Sequence, residues 1–122
     1  MNKETIEKLQ DQIEQQLACS VHPDDGSAIK GKLENLSTYL GTGARCITGS
    51  KNLMLLKRRE WLRQHSEKIK DFSPSIIKEF VNTACIDEEI LYVRCDRNYS
   101  AIVHTIDALR SLLSILKAEM SI

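Results

Sequence analysis

From Arg94 to Ile122 the chain reads RCDRNYSAIVHTIDALRSLLSILKAEMSI, and its apolar residues recur at alternating steps of four and three. Ile102, Ile106, Leu109, Leu113, Leu116 and Met120 carry that rhythm. It keeps the large side chains on one side of a helix with 3.6 residues per turn, and no alternating strand can present it. A helix begun near Thr83 to Asp87 and run almost to the last residue would be about 50 Å long at 1.5 Å per residue. Asp87, Glu88 and Glu89 suit the positive end of its dipole. Such a rod exceeds what a small bundle needs, so a second subunit is expected to cover part of it.

The remaining segments read the same way. Over residues 2 to 20, Ile6, Leu9, Ile13 and Leu17 form a narrow stripe among Glu, Gln, Lys and Asp. A stripe that narrow fits one partner helix, in this chain or in another copy. His22-Pro23-Asp24-Asp25-Gly26-Ser27 breaks the pattern and offers caps for the next helix. That helix starts near Ser27 with Ile29, Leu33, Leu36 and Leu40. Gly41-Thr42-Gly43 and Thr48-Gly49-Ser50 admit two readings: turns, or a long helix bent at its glycines with Ser37, Gly41, Ala44 and Thr48 as a small-residue stripe. The long helix is favoured, with another backbone held close to the stripe, because each interior glycine costs about 1 kcal/mol unless tight packing offsets it. The chain then turns basic from Lys51 to Lys70, with Leu55, Leu56, Trp61 and Leu62 as an apolar side. Ser73 and Pro74 cap and start a short helix bearing Ile76, Ile77, Phe80 and Val81. With no strand signal, repeat or linker, residues 1–122 form one all-α domain: long antiparallel helices, a short connecting helix, and an N-terminal amphipathic helix over residues 1–22 that is free to oligomerise.

Composition excludes several classes. Lys plus Arg and Asp plus Glu are both 17, so no overall charge draws the chain to nucleic acid or membrane. The basic run spreads around its helix with Trp61 among the charges and forms neither a concentrated basic face with stacking aromatics nor a groove-fitting motif, so a nucleic-acid surface is not favoured. No stretch approaches the roughly 20 apolar residues of a membrane span, and the acidic start lacks a signal-peptide run. Cys19, Cys46, Cys85 and Cys95 form no CxxC pair, and no histidine stands at finger spacing to them. Reduced thiols in a soluble cytoplasmic chain, with no cofactor and no metal, are expected.

Chemistry concentrates on the last helix. Arg97, Asn98, His104, Asp107, Arg110, Ser111, Ser114 and Lys117 surround its seam. His104, Asp107 and Arg110 share one face at three-residue steps, but no nucleophile or metal joins them from another element, so catalysis is not expected. A polar network that fixes helix pairing is one reading. Arg94, Arg97 and Asn98 follow one another along the same helix, and Arg97, Asn98 and Arg110 could line an anion pocket between subunits, since a guanidinium fork fits phosphate or carboxylate; pairing with Asp87, Glu88, Asp96 or the acidic first helix is the competing reading. Lys51 continues the small-residue stripe and is a further candidate contact.

The stretch His104-Thr105-Ile106-Asp107-Ala108-Leu109-Arg110-Ser111, with Ser114 and Lys117 beyond it, resembles a pattern of small all-helical proteins of tailed bacteriophages and prophages, H-x-I-D-A-L-R-[ST]-x-[IL]-S-x-x-K. The middle segment is similar to their small-residue-rich second helix, although glycines 41, 43 and 49 depart from the alanines of that pattern. By analogy of size, helicity and polar-face chemistry, such proteins look like phage counter-defence sponges, oligomers that bind a host immune nucleotide without cleaving it. The resemblance implies a non-enzymatic homo-oligomer in the host bacterial cytoplasm that sequesters a small anionic ligand, such as a cyclic nucleotide or ADP-ribose derivative. Lys51, Arg97 and Arg110 would meet phosphate. Asn98, His104 and Ser114 would read hydroxyl or base edges, and Asp107 would orient His104 or Arg110. A structural helical-bundle protein and an accessory factor for phage DNA replication or recombination are the alternatives.

Overall fold

Asn2 opens the first helix. Its side-chain oxygen accepts a hydrogen bond from the Thr5 backbone N–H at 2.8 Å, so one of the four donors that a helix start leaves unpaired is satisfied. The computed structural model describes residues 1–120 and contains five helices: α1 (Lys3–Ala18), α2 (Gly26–Gln64), α3 (Ser66–Ile69), α4 (Pro74–Ala84) and α5 (Ile86–Met120). No strand occurs among the described residues. The Lys32 ammonium donates to the Leu17 and Cys19 carbonyls, which secures the C-terminal end of α1. Asp25 caps α2 through a 3.0 Å bond from the Ala28 N–H, and Ser73 caps α4 ahead of Pro74.

All five glycines lie within α2, which runs 39 residues without a break. None has positive φ, so none is used as a turn. The expected small-residue stripe is corrected here. Ser37, Gly41, Ala44 and Thr48 are exposed, and a Cβ on Gly41 would meet nothing within 4 Å. Close approach happens on a different face. A Cβ on Gly43 would lie 3.1 Å from Tyr99 Cδ2, and one on Gly49 would lie 3.3 Å from Ile6 Cδ1. Glycine therefore admits α5 at one level and α1 at another. The break comes later, at His65, whose Nδ1 lies 2.8 Å from the Trp61 carbonyl and whose ring stacks on the indole with centroids 4.3 Å apart.

Contacts between α2 and α5 fall in reverse order along the two helices: Gly26 against Leu116, Gly43 against Tyr99 and Ile102, Lys51 over Tyr92. Helix α1 packs against both. One apolar cluster joins Ile13, Ile29, Leu36, Ile102, Ile106 and Leu109, and a second joins Ile6, Cys46, Leu91 and Cys95. The partner of the α1 stripe is thus this same chain. Each fully buried isoleucine contributes about 1.5–3 kcal/mol of apolar transfer, which makes these two clusters the main cohesive element. Beyond α1, the far end of α2 is covered by α4 through Val81 and by Cys85 just after it. The seam of α5 matches the spacing reading from Ile102 to Leu116, while Met120 projects into solvent beyond the last packed turn. No helix among the described residues is long and apolar enough to cross a membrane.

Candidate functional site

The steps of four and three that define the inner seam of α5 define an outer one as well. Ile86, Ile90 and Val93 open it, Arg97, Ser100 and His104 continue it, and Asp107, Ser111 and Ser114 close it. All nine are exposed. A helix that is buried on one stripe and keeps large apolar groups on the opposite stripe has two faces to satisfy, and this chain fills only one.

Where the N-terminal half of this stripe borders α1, a groove of about 590 Å³ opens. It is lined by Glu14, Glu89, Ile90, Val93, Arg94, Arg97 and Asn98. Its floor is a polar clamp between helices. Arg94 Nε donates to Glu14 Oε2 at 2.8 Å, and Nη2 donates to Glu14 Oε1 at 2.6 Å and to Asp11 Oδ1 at 2.7 Å. Asn98 Nδ2 donates to Glu14 Oε2 at 2.8 Å and to Gln10 Oε1 at 2.9 Å. The Arg94 hydrogen bonds, helped by Asn98, outweigh partial burial and hold the Glu14 carboxyl down at about 2, while the two acids push the Arg94 guanidinium upward. Glu14 therefore stays charged in the groove. Of the two groove arginines, Arg94 is held by α1 through Nε and Nη2, and Arg97 has no acceptor among the described residues. Two carboxylates and two guanidiniums leave the groove formally neutral, so within one chain it is not an anion pocket.

The structure brings Arg97 and Asn98 to this groove and places the other predicted residues elsewhere. Lys51 is exposed, with its ammonium 5.3 Å from the centroid of the Tyr92 ring. Tyr92 lies two residues before Arg94, about 160° around the helix, so Lys51 stands on the flank away from α1. His104, Asp107, Arg110 and Ser114 are exposed along the C-terminal half of α5. Among the described residues no hydrogen bond joins Asp107 to His104 or Arg110; Ser111 Oγ donates instead to the Asp107 carbonyl at 3.1 Å. The polar row does not converge inside a single chain.

Two features escaped the sequence reading. Gln10 is fully buried, and its Nε2 has no hydrogen-bond acceptor beside the Cys46 thiol. The signal was present: Ile6, Gln10, Ile13 and Leu17 step by four, three and four, a more regular seam than one through Leu9. The second is an aromatic end. Phe80 of α4 approaches Trp61 at 6.4 Å and Phe72 at 5.9 Å between ring centroids. Phe72, Ile76 and Phe80 stand four apart, so one side of α4 is apolar and exposed while Val81 faces inward.

Comparison with protein-family models, with curated proteins and with solved structures finds no match for this chain.

Proposed function

We propose that this protein is a non-enzymatic homo-oligomer of long antiparallel helices that sequesters a small anionic ligand between its subunits. The ligand class is a phosphate-bearing nucleotide signal of host defence, in keeping with the phage proteins that its last helix resembles. One observation carries the reading: Arg97, His104, Asp107 and Ser114 lie along one exposed side of α5, with Arg110 on its flank, and none has a hydrogen-bonding partner among the described residues, whereas the neighbouring Arg94 and the amide N–H groups of Asn98 are engaged by α1. Arg97 and Arg110 supply forked donors for phosphate, and His104, Ser114 and the free oxygen of Asn98 supply hydrogen-bonding edges. Lys51, on the other flank of α5, contributes only if a second copy reaches it. A pocket assembled from rigid helices binds with little ordering cost.

A second reading has its own support. Ile86, Ile90, Val93 and Ile115 are exposed on the same side of α5, which suits a structural protein whose polar residues only set the register of helix pairing. The third, a DNA accessory factor, draws on the basic end of α2.

Thermal melting separates the three. A sequestering protein gains several degrees with a cyclic dinucleotide or ADP-ribose at a hundredfold excess over Kd, equivalent to about 2.7 kcal/mol. A structural protein ignores both. A DNA factor is retained on DNA with steep salt dependence. An unchanged melting temperature with both nucleotide classes removes the sequestration reading.

A further inference from the structure

We infer that the outer seam of α5 binds the same seam of a second copy, antiparallel, about a two-fold axis level with Ile102. The inference rests on the homo-oligomer reading above and goes beyond it by naming the face, the direction and the register.

Steps of four and three maintained from Ile86 to Ser114 match the repeat of a helix-pairing seam. Ile86 is 53% exposed, Ile90 61% and Val93 36%, and Ile115 near the other end is 54% exposed. The seam is therefore apolar at its N-terminal end and polar from Arg97 to Ser114, with Ile115 exposed beside its far end. Reversal about Ile102 makes it self-complementary. Arg97 then faces the partner's Asp107, and Ser100 faces the partner's His104. Ile90 falls beside the partner's Ile115, and Val93 faces the partner's Ser111. Two-fold symmetry makes each contact twice.

Alternatives are worse on charge alone. Parallel pairing sets Arg97 against Arg97 and Asp107 against Asp107. A slip of seven residues either way in the antiparallel arrangement places Arg97 opposite a serine, Ser100 or Ser114, and separates the acid–base pair. Small residues on the seam, Ser100, Ser111 and Ser114, allow the two helices to approach. Arg97 has five N–H donors, so its pairing with Asp107 leaves donors for a ligand phosphate at the seam edge.

The test is the mass of the full chain in solution, by sedimentation equilibrium at high micromolar concentration, for the wild type, Arg97→Asp, Asp107→Arg and the double variant. Both positions are exposed, and helical circular dichroism and melting should match the wild type in each case. The wild type is expected to be a dimer or an even multiple. Either single substitution creates two like-charge contacts and weakens association by about tenfold or more, and the double variant restores it to within about threefold. A monomeric wild type overturns the proposal, as does a double variant that associates no better than the singles. Melting with a cyclic dinucleotide reads the ligand question separately: a shift in a monomer sinks the seam alone, and a dimer without a shift sinks sequestration alone.

Discussion

Replacing Arg94 with alanine removes the main polar link between α1 and α5. Three hydrogen bonds disappear, two of them a bidentate fork on Glu14. The pair is neither buried nor fully solvated, since the Arg94 side chain is 30% exposed, Glu14 42% and Asp11 63%. Exposed pairs contribute about 0–1 kcal/mol and disruption of buried ones costs about 3–5 kcal/mol, so solvent screening sets this clamp near 1.5 kcal/mol. For a chain of this length, that corresponds to a loss of about 6 °C. The pH dependence follows from Glu14. Its carboxyl is lowered from 4.5 to about 2 in the folded chain, so its contribution is complete above pH 4.5 and is lost as pH falls toward 2. The wild type and Arg94→Ala should therefore differ in urea midpoint at neutral pH and converge through that acid window. Arg94→Lys should fall between them, because a point charge cannot supply the fork. Equal midpoints at neutral pH, or a gap that persists undiminished at the acid end, would refute this account of the clamp.

Other expectations follow from packing. Ile13 is fully buried among Ile29, Leu36 and Ile106, and Ile13→Ala should cost about 3 kcal/mol by denaturant titration. Gly41→Ala should stabilise by about 1 kcal/mol, since its Cβ meets nothing, whereas Gly43→Ala should be at least about 1 kcal/mol less favourable because its Cβ presses on Tyr99. Equal melting temperatures for those two variants would contradict the close approach at Gly43. Cys19 is exposed, while burial raises the thiols of Cys46, Cys85 and Cys95 and hides them. A thiol-reactive chromophore should thus label one cysteine per folded chain quickly and all four after unfolding; two fast labels in the native state would count against this packing.

Local signals were enough for the helices. Periodicity, Asp25 and Ser73 as caps and Pro74 as a start placed every long element to within a few residues, because caps and spacing act over one or two turns. The stop at His65 was missed, since it depends on the stacking of that ring on Trp61 and on the cover that α4 lays over this end. The glycines were read as packing sites, yet the wrong subset was chosen. Gly41 and Gly43 are two residues apart and point to different sides, so only the position of Tyr99 on α5 decides which one is needed. The polar row on α5 was equally visible, but not which of its members are taken. Arg94 and Asn98 are engaged by Asp11, Glu14 and Gln10, 80 to 88 residues earlier in the chain. The sequence alone determined that this protein is helical, where its helices cap and which stripes are apolar, since those follow from neighbours within a few residues. Tertiary structure alone decided which glycine admits a ring, which arginine is consumed and which side of the last helix is left open, because each depends on groups that meet only when distant helices pack.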